Sequence, residues 1–289
     1  MLIYVDLLGF KNQVKAVPLE EAVRMLKVLL FGLYSGAARD AVSSGTPIEE
    51  IASLPLFNSE DTDFGFVVDA LRKRTALSAL LMSDSLVVYS DPFIPEDPGF
   101  SQNLTSLVRL ARILMLKLFE FQLPARGAIS FGEFFADQRN SIFCGKALVE
   151  AYEVAEAQEW IGMSICDSLE GHMDALLASF SFESLANACL TGKGWNVVRP
   201  DWDVIRYEVP CKQGPQCRWT VNWLSAWNAG GPISNDFFAA NMTGEEAIDR
   251  KYRNTLAYMQ WFHTRRAETP PAIADDAPPD EPIGGPMRP

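Results

Sequence analysis

Histidine is nearly missing from this chain, with two among 289 residues. The five cysteines (Cys144, Cys166, Cys189, Cys211 and Cys217) form no C-x-x-C pair and are odd in number. Together these shortages argue against a zinc site and against a disulfide framework. Reduced thiols in cytoplasm are the expectation. Positive charge is also scarce: 25 Lys and Arg stand against 37 Asp and Glu, giving a net charge of −12 and a pI near 4.7. Such a surface disfavours a nucleic-acid track or an anionic membrane as partner. It leaves a nucleotide open, because a divalent ion reverses the local field of an acidic site. Long apolar runs are missing too. The most apolar stretch, 22–34, is interrupted by Arg24 and Lys27 and is too short to span a bilayer. No basic region precedes the first strand, so no signal peptide is expected. A soluble, cytoplasmic protein without a membrane or nucleic-acid partner follows.

What is present reads as one domain over 1–267, with its later part, 168–267, carrying extra strands and a C-terminal helix. A strand over 2–8 ends at Gly9. Pro18 opens a helix to about 34, with Glu20 and Glu21 in its first turn. Residues 43–64 are irregular. Two apolar runs over 76–90 pivot on "SDS", a hairpin signature with Asp84 at its tip. Helical spacing returns over 101–121, then "RGAISFGEFF" reads as a strand, "GKALVEAYEVAEAQ" as a helix behind a glycine, and "IGMSICDSL" as a strand. Further strands are expected in "WNVVRPDWDVIRYEVP" and "RWTVNWLSAW", with "KQGPQ" between Cys211 and Cys217 as a hairpin loop. Trp219, Trp223 and Trp227 recur every four residues, which fits a helix face or a bent strand, and they read as core. Thr243 and Glu246 form a capping box for a last helix to about Ala267. The tail 268–289 holds seven of the 18 prolines and five acids, a disordered composition. The order of elements predicts an α+β fold, a largely antiparallel sheet flanked by helices.

Two core-type strands each carry one aspartate, Asp6 in "MLIYVDLLGF" and Asp84 in "LLMSDSLVVYS". A carboxylate in an apolar strand is costly unless something neutralises it. No Lys or Arg lies within four residues of Asp6 or within nine of Asp84, so neither segment encodes a local ion pair. The residues alone leave two readings open, a shared metal ion or two solvent-facing strand-end caps.

Taken in order, "YVDLLGF", "MSDSLVVYS", "ARGAISFGE" and "FCGKALVEAYE" resemble the motifs of the class III nucleotide cyclases. Within that family they look most like the bacterial pyrimidine cyclases of antiphage signalling. The resemblance covers about residues 1–170. It implies a ferredoxin-like sheet-and-helix catalytic domain working as a homodimer, with active sites built across the dimer interface. It further implies that Asp6, Asp84 and the Leu7 carbonyl hold two Mg²⁺ or Mn²⁺ ions, hard cations that take oxygen ligands. The turn at Leu8, Gly9 and Phe10 would cradle the phosphates of a nucleoside triphosphate.

The departures from the family pattern are specific. The purine-selecting lysine falls on Ser78 and its partner aspartate on Ile142, so neither polar group that reads a purine edge is present. The transition-state asparagine falls on Val149 and the arginine on Glu153. Another cation must then serve: Arg126, which matches the family's strand arginine, is the first choice for a catalytic role. Lys146 and the "RKR" at 72–74 are further candidates. The expected activity is cyclisation of UTP to 3′,5′-cyclic UMP as a second messenger in antiviral defence, read by a separate cyclic-nucleotide-sensing effector. Cyclisation of CTP, an adenylate or guanylate cyclase, and a catalytically dead nucleotide-binding dimerisation domain are the alternatives.

Overall fold

The computed structural model describes residues 1–10, 77–90, 100–120, 123–137, 139–178, 203–226 and 244–268, with a few single positions besides. The readings over 18–34, 43–64, 72–74, Thr243 and the tail fall, but for single residues, outside the described residues. The fold is α+β. Its strands are β1 (Leu2–Leu7), β2 (Leu77–Met82), β3 (Ser85–Ser90), β4 (Ala125–Ser130), β5 (Phe135–Asp137), β6 (Ile142–Cys144), β7 (Gly162–Ile165), β8 (Val204–Val209) and β9 (Gln216–Val221). Its longer helices are α1 (Phe100–Glu120), α2 (Lys146–Ala157) and α3 (Glu246–Glu268).

Seven strands form one sheet in the order β2-β3-β1-β4-β7-β9-β8. Every pairing is antiparallel except β4 with β7. That one parallel pair follows from the connection, because α2 crosses over between the two strands. Strand β1 is central, pairing with β3 on one side and β4 on the other. Its side chains alternate between two cores, as the period of two requires. Ile3, Val5 and Leu7 meet Leu104, Leu107, Val108 and Ala111 of α1. Leu2 and Tyr4 meet Val87, Ala128 and the alanines Ala147, Ala151 and Ala155 of α2. Small residues every fourth position let α2 lie close to the sheet. Asp6 follows Leu2 and Tyr4 in this alternation and therefore belongs to the α2 face.

Three segments depart from the sequence reading. The strand expected through "RGAISFGEFF" is two elements: β4 ends at Ser130, and β5 pairs with β6 in a separate two-stranded sheet. The following glycine explains the entry to α2. Gly145 has φ +149°, and a Cβ there would lie 2.3 Å from the Glu133 carbonyl oxygen, so only glycine lets the two chains pass. The strand expected over "IGMSICDSL" stops at Ile165, and Asp167–His172 turns as a 3-10 helix. The strand expected over "RWTVNWLSAW" stops at Val221: Trp219 lies on β9, and Trp223 is fully buried in the 3-10 turn Trp223–Ala226. Trp227 is outside the described residues. At the far end of the sheet α3 packs Tyr258 edge-on against Trp160, with ring centroids 4.8 Å apart. Among the described residues no helix is long and apolar enough to cross a membrane.

Candidate functional site

The pairing of β1 with β3 brings the two aspartates together. Asp6 stands opposite Ser85, and the Leu7 amide donates to the Asp84 carbonyl at 2.8 Å. Asp84 sits in a two-residue turn whose first residue, Ser83, has φ 54°. On the same face the Tyr4 hydroxyl and the Ser85 hydroxyl are 2.8 Å apart. Gly9 turns the chain out of β1 at φ +75°, a backbone that favours glycine. Of the amides at that turn, Leu8's donates to the Pro124 carbonyl at 2.7 Å. Phe10 points into the core.

A cation reaches Asp6 across the sheet. The register sets Arg126 of β4 opposite Asp6, and its Nε donates to Asp6 Oδ2 at 2.8 Å. The guanidinium also pairs with Glu156 Oε1, and its Nη1 donates to the carbonyls of Glu156 (3.1 Å) and Gln158 (3.2 Å). Glu156 uses its other oxygen on Lys212 Nζ, at 3.2 Å. Charges therefore alternate along a chain, Asp6–Arg126–Glu156–Lys212. The sign of each end's perturbation follows. Burial raises the Asp6 carboxyl above its usual range; the Arg126 hydrogen bond and charge oppose this without cancelling it, and the Glu156 and Asp84 charges add to it. Burial also raises Glu156, but the Arg126 and Lys212 charges outweigh it, so that carboxyl sits below its usual range.

Lys212 is held in place by its backbone. Its amide donates to the Ala157 carbonyl and the Glu159 amide to the Pro210 carbonyl, both at 2.8 Å, which stitch the β8–β9 turn to the end of α2. Between these elements opens a cleft of about 310 Å³, lined by Tyr152, Glu153, Glu156, Lys212, Gln213 and Gln216 among others. Glu156, Lys212 and this cleft were not foreseen from sequence. The usable signal was the outward spacing of residues 149, 152, 153 and 156 on α2, together with a lysine in the expected hairpin loop.

The remaining expected residues spread out. Ser78 lies on edge strand β2 opposite Tyr89, whose ring meets Phe134 at 5.0 Å, just before β5. Ile142 is half exposed on β6, opposite Asp137. Lys146 is 86% exposed and pairs with the equally open Glu133, a solvated surface contact. Val149 is half exposed on the outer face of α2. Arg126 is engaged on all sides, which is the geometry of a group that positions Asp6.

Among the described residues no group of three or more His, Cys, Asp or Glu side chains is arranged to hold a metal ion. Asp6 and Asp84 are neighbours across the β1–β3 pairing, and carboxylate oxygens are the donors that suit a hard divalent cation whose coordination is completed by substrate phosphates and water. Compared with family models, curated proteins and solved structures, the chain matches none.

Proposed function

We propose that this chain is a nucleotide cyclase that converts a pyrimidine nucleoside triphosphate, UTP by preference, to its 3′,5′-cyclic monophosphate and pyrophosphate. The observation that carries the reading is the side-by-side placement of Asp6 and Asp84, joined through Arg126 and Glu156 to the half-exposed Lys212. The strand order β2-β3-β1-β4 supports it, being that of a split βαβ, ferredoxin-like sheet. In the reaction the 3′-oxygen attacks the α-phosphorus, the bond to pyrophosphate breaks, and the 3′-hydroxyl proton passes to water. Asp6, Asp84 and the Leu7 carbonyl would hold two Mg²⁺ or Mn²⁺ ions. Such ions acidify the attacking hydroxyl and offset charge on the leaving oxygens. Arg126 fixes the orientation of Asp6 and leaves its second oxygen available. Lys212, aimed by Glu156, supplies positive charge beside the cleft where Val149 and Glu153 supply none.

The working unit in this reading is a homodimer. The half-exposed apolar side chains Phe135, Ile142 and Val149 on β5, β6 and α2 support it, since monomers seldom leave such groups in water together. The product would act in the cytoplasm as a second messenger of antiviral defence through a separate effector. A second reading is a nucleotide-binding dimerisation domain without turnover, favoured by the full engagement of Arg126 and the acid at Glu153. Incubation of the full chain with UTP, CTP, ATP and GTP and Mn²⁺, with products resolved by mass, separates these readings. Cyclic UMP or cyclic CMP is the expected product. A purine product overturns the base assignment, and no product from any triphosphate leaves the binding domain.

A further inference from the structure

We infer that the cleft between α2 and the β8–β9 turn is a nucleobase subsite, in which Tyr152 provides the stacking face and Gln216 with Glu153 reads a carbonyl beside an N–H. The inference rests on the proposed reading only for the choice of uracil among bases with that edge. Ser78 and Ile142 offer no paired donor and acceptor, so a base bound by this chain must be read elsewhere. The cleft has the parts. Its volume of about 310 Å³ lies at the small end of the range for ligand sites. Tyr152 is 49% exposed, and its ring is braced edge-on by Tyr4 at 5.7 Å, which leaves a fixed aromatic surface at the cleft wall. Successive bases stack on such surfaces whatever their identity.

Identity comes from Gln216. A guanidinium can only donate, so the Arg218 Nε contact at 3.0 Å fixes the Gln216 carbonyl oxygen toward Arg218. Arg218 is itself anchored by Asp167 Oδ1, 3.0 Å from its Nη1. The group that Gln216 has left to offer is its amide NH₂, a donor. Glu153, one helical position beyond Tyr152, is an acceptor without a proton to give. A donor and an acceptor lining one cleft match the O4 and N3–H of uracil, and the O6 and N1–H of guanine. They oppose the amino group and bare ring nitrogen of cytosine and adenine.

The test uses the full chain in metal-free buffer with uridine and cytidine, followed by saturation-transfer NMR, so that neither phosphate nor turnover enters. Uridine should bind more tightly than cytidine by at least about fivefold. Tyr152→Ala should weaken both by about fivefold or more. Gln216→Glu keeps the Arg218 contact but turns the free group into an acceptor, so each base then meets one match and one clash and the uridine preference should collapse to within about twofold. Circular dichroism confirms that each variant is folded. The inference is overturned if neither nucleoside receives saturation at millimolar concentration, if folded Tyr152→Ala binds both as the parent does, or if folded Gln216→Glu keeps the parental ratio. Uridine binding of this pattern without cyclisation of any triphosphate upholds the subsite and sinks the cyclase reading. Cyclisation whose UTP-to-CTP ratio is unmoved by Gln216→Glu does the reverse.

Discussion

Replacing Arg126 by methionine removes one charge from the middle of the ion chain and keeps nearly the same volume, so no cavity term enters. The side chains of Arg126 and Asp6 are 8% and 15% exposed, so water reaches little of the pair. Removing one partner of such a pair costs about 3–5 kcal/mol, because the other charge is left without compensation. The Glu156 contact adds less than about 1 kcal/mol, since that carboxylate is one-third exposed and keeps Lys212. The expected loss is therefore about 3–5 kcal/mol at neutral pH, read by urea unfolding with an unchanged m-value. Acid should restore part of it, because Asp6 protonates more readily once Arg126 is gone. The double variant Arg126→Met with Asp6→Asn should recover roughly 1–3 kcal/mol relative to the single change, the coupling of residues in contact. The reasoning fails if Arg126→Met unfolds within about 1 kcal/mol of the parent, or if the double variant is no more stable than the single one.

Three further outcomes are expected. Asp84→Asn and Asp6→Asn should each abolish metal-dependent turnover and Mn²⁺ binding while the circular dichroism spectrum is kept; either variant with near-parental activity sinks the metal assignment. Glu156 has a depressed carboxyl when folded, so its contribution is present above the unfolded carboxylate range and is lost as pH falls through the folded value. Glu156→Gln should accordingly show a shallower loss of stability on acidification, and a parallel acid limb would remove Glu156 from the chain of charges. Phe135→Glu with Val149→Glu should shift light scattering toward monomer and lower turnover together; an unchanged mass would detach these side chains from the dimer face.

Local pattern made most of the sheet legible. The apolar runs of β1, β2 and β3, the "SDS" turn and the helical spacing of α1 and α2 all lie within a residue or two of their expected bounds. Each depends on neighbours close in sequence. The alternation that put Asp6 in a core strand was also visible. Its counter-ion was not, because Arg126 is 120 positions away and the pairing exists only through the register of β1 with β4. Glu156 and Lys212 were hidden for the same reason, being 56 positions apart. The break after Ser130 was missed because aromatic residues continue past Gly132, so hydrophobicity gave no sign that β5 leaves the main sheet.

The central place of β1 also bears on how the chain is made. This strand emerges from the ribosome before either neighbour, yet its second edge closes only against β4, whose first residue is Ala125. At ordinary elongation rates of about 5–20 residues per second, the wait from Leu7 to Ala125 is roughly 6–24 s. Through that interval Leu2, Ile3 and Val5 present open backbone groups beside apolar side chains, the combination that recruits stray strands. Synthesis of this protein should thus draw on chaperones that shield nascent hydrophobic segments. Ribosome stalling or truncation between β3 and β4 should yield aggregated fragments, whereas a stop after β4 leaves β1 with both partners.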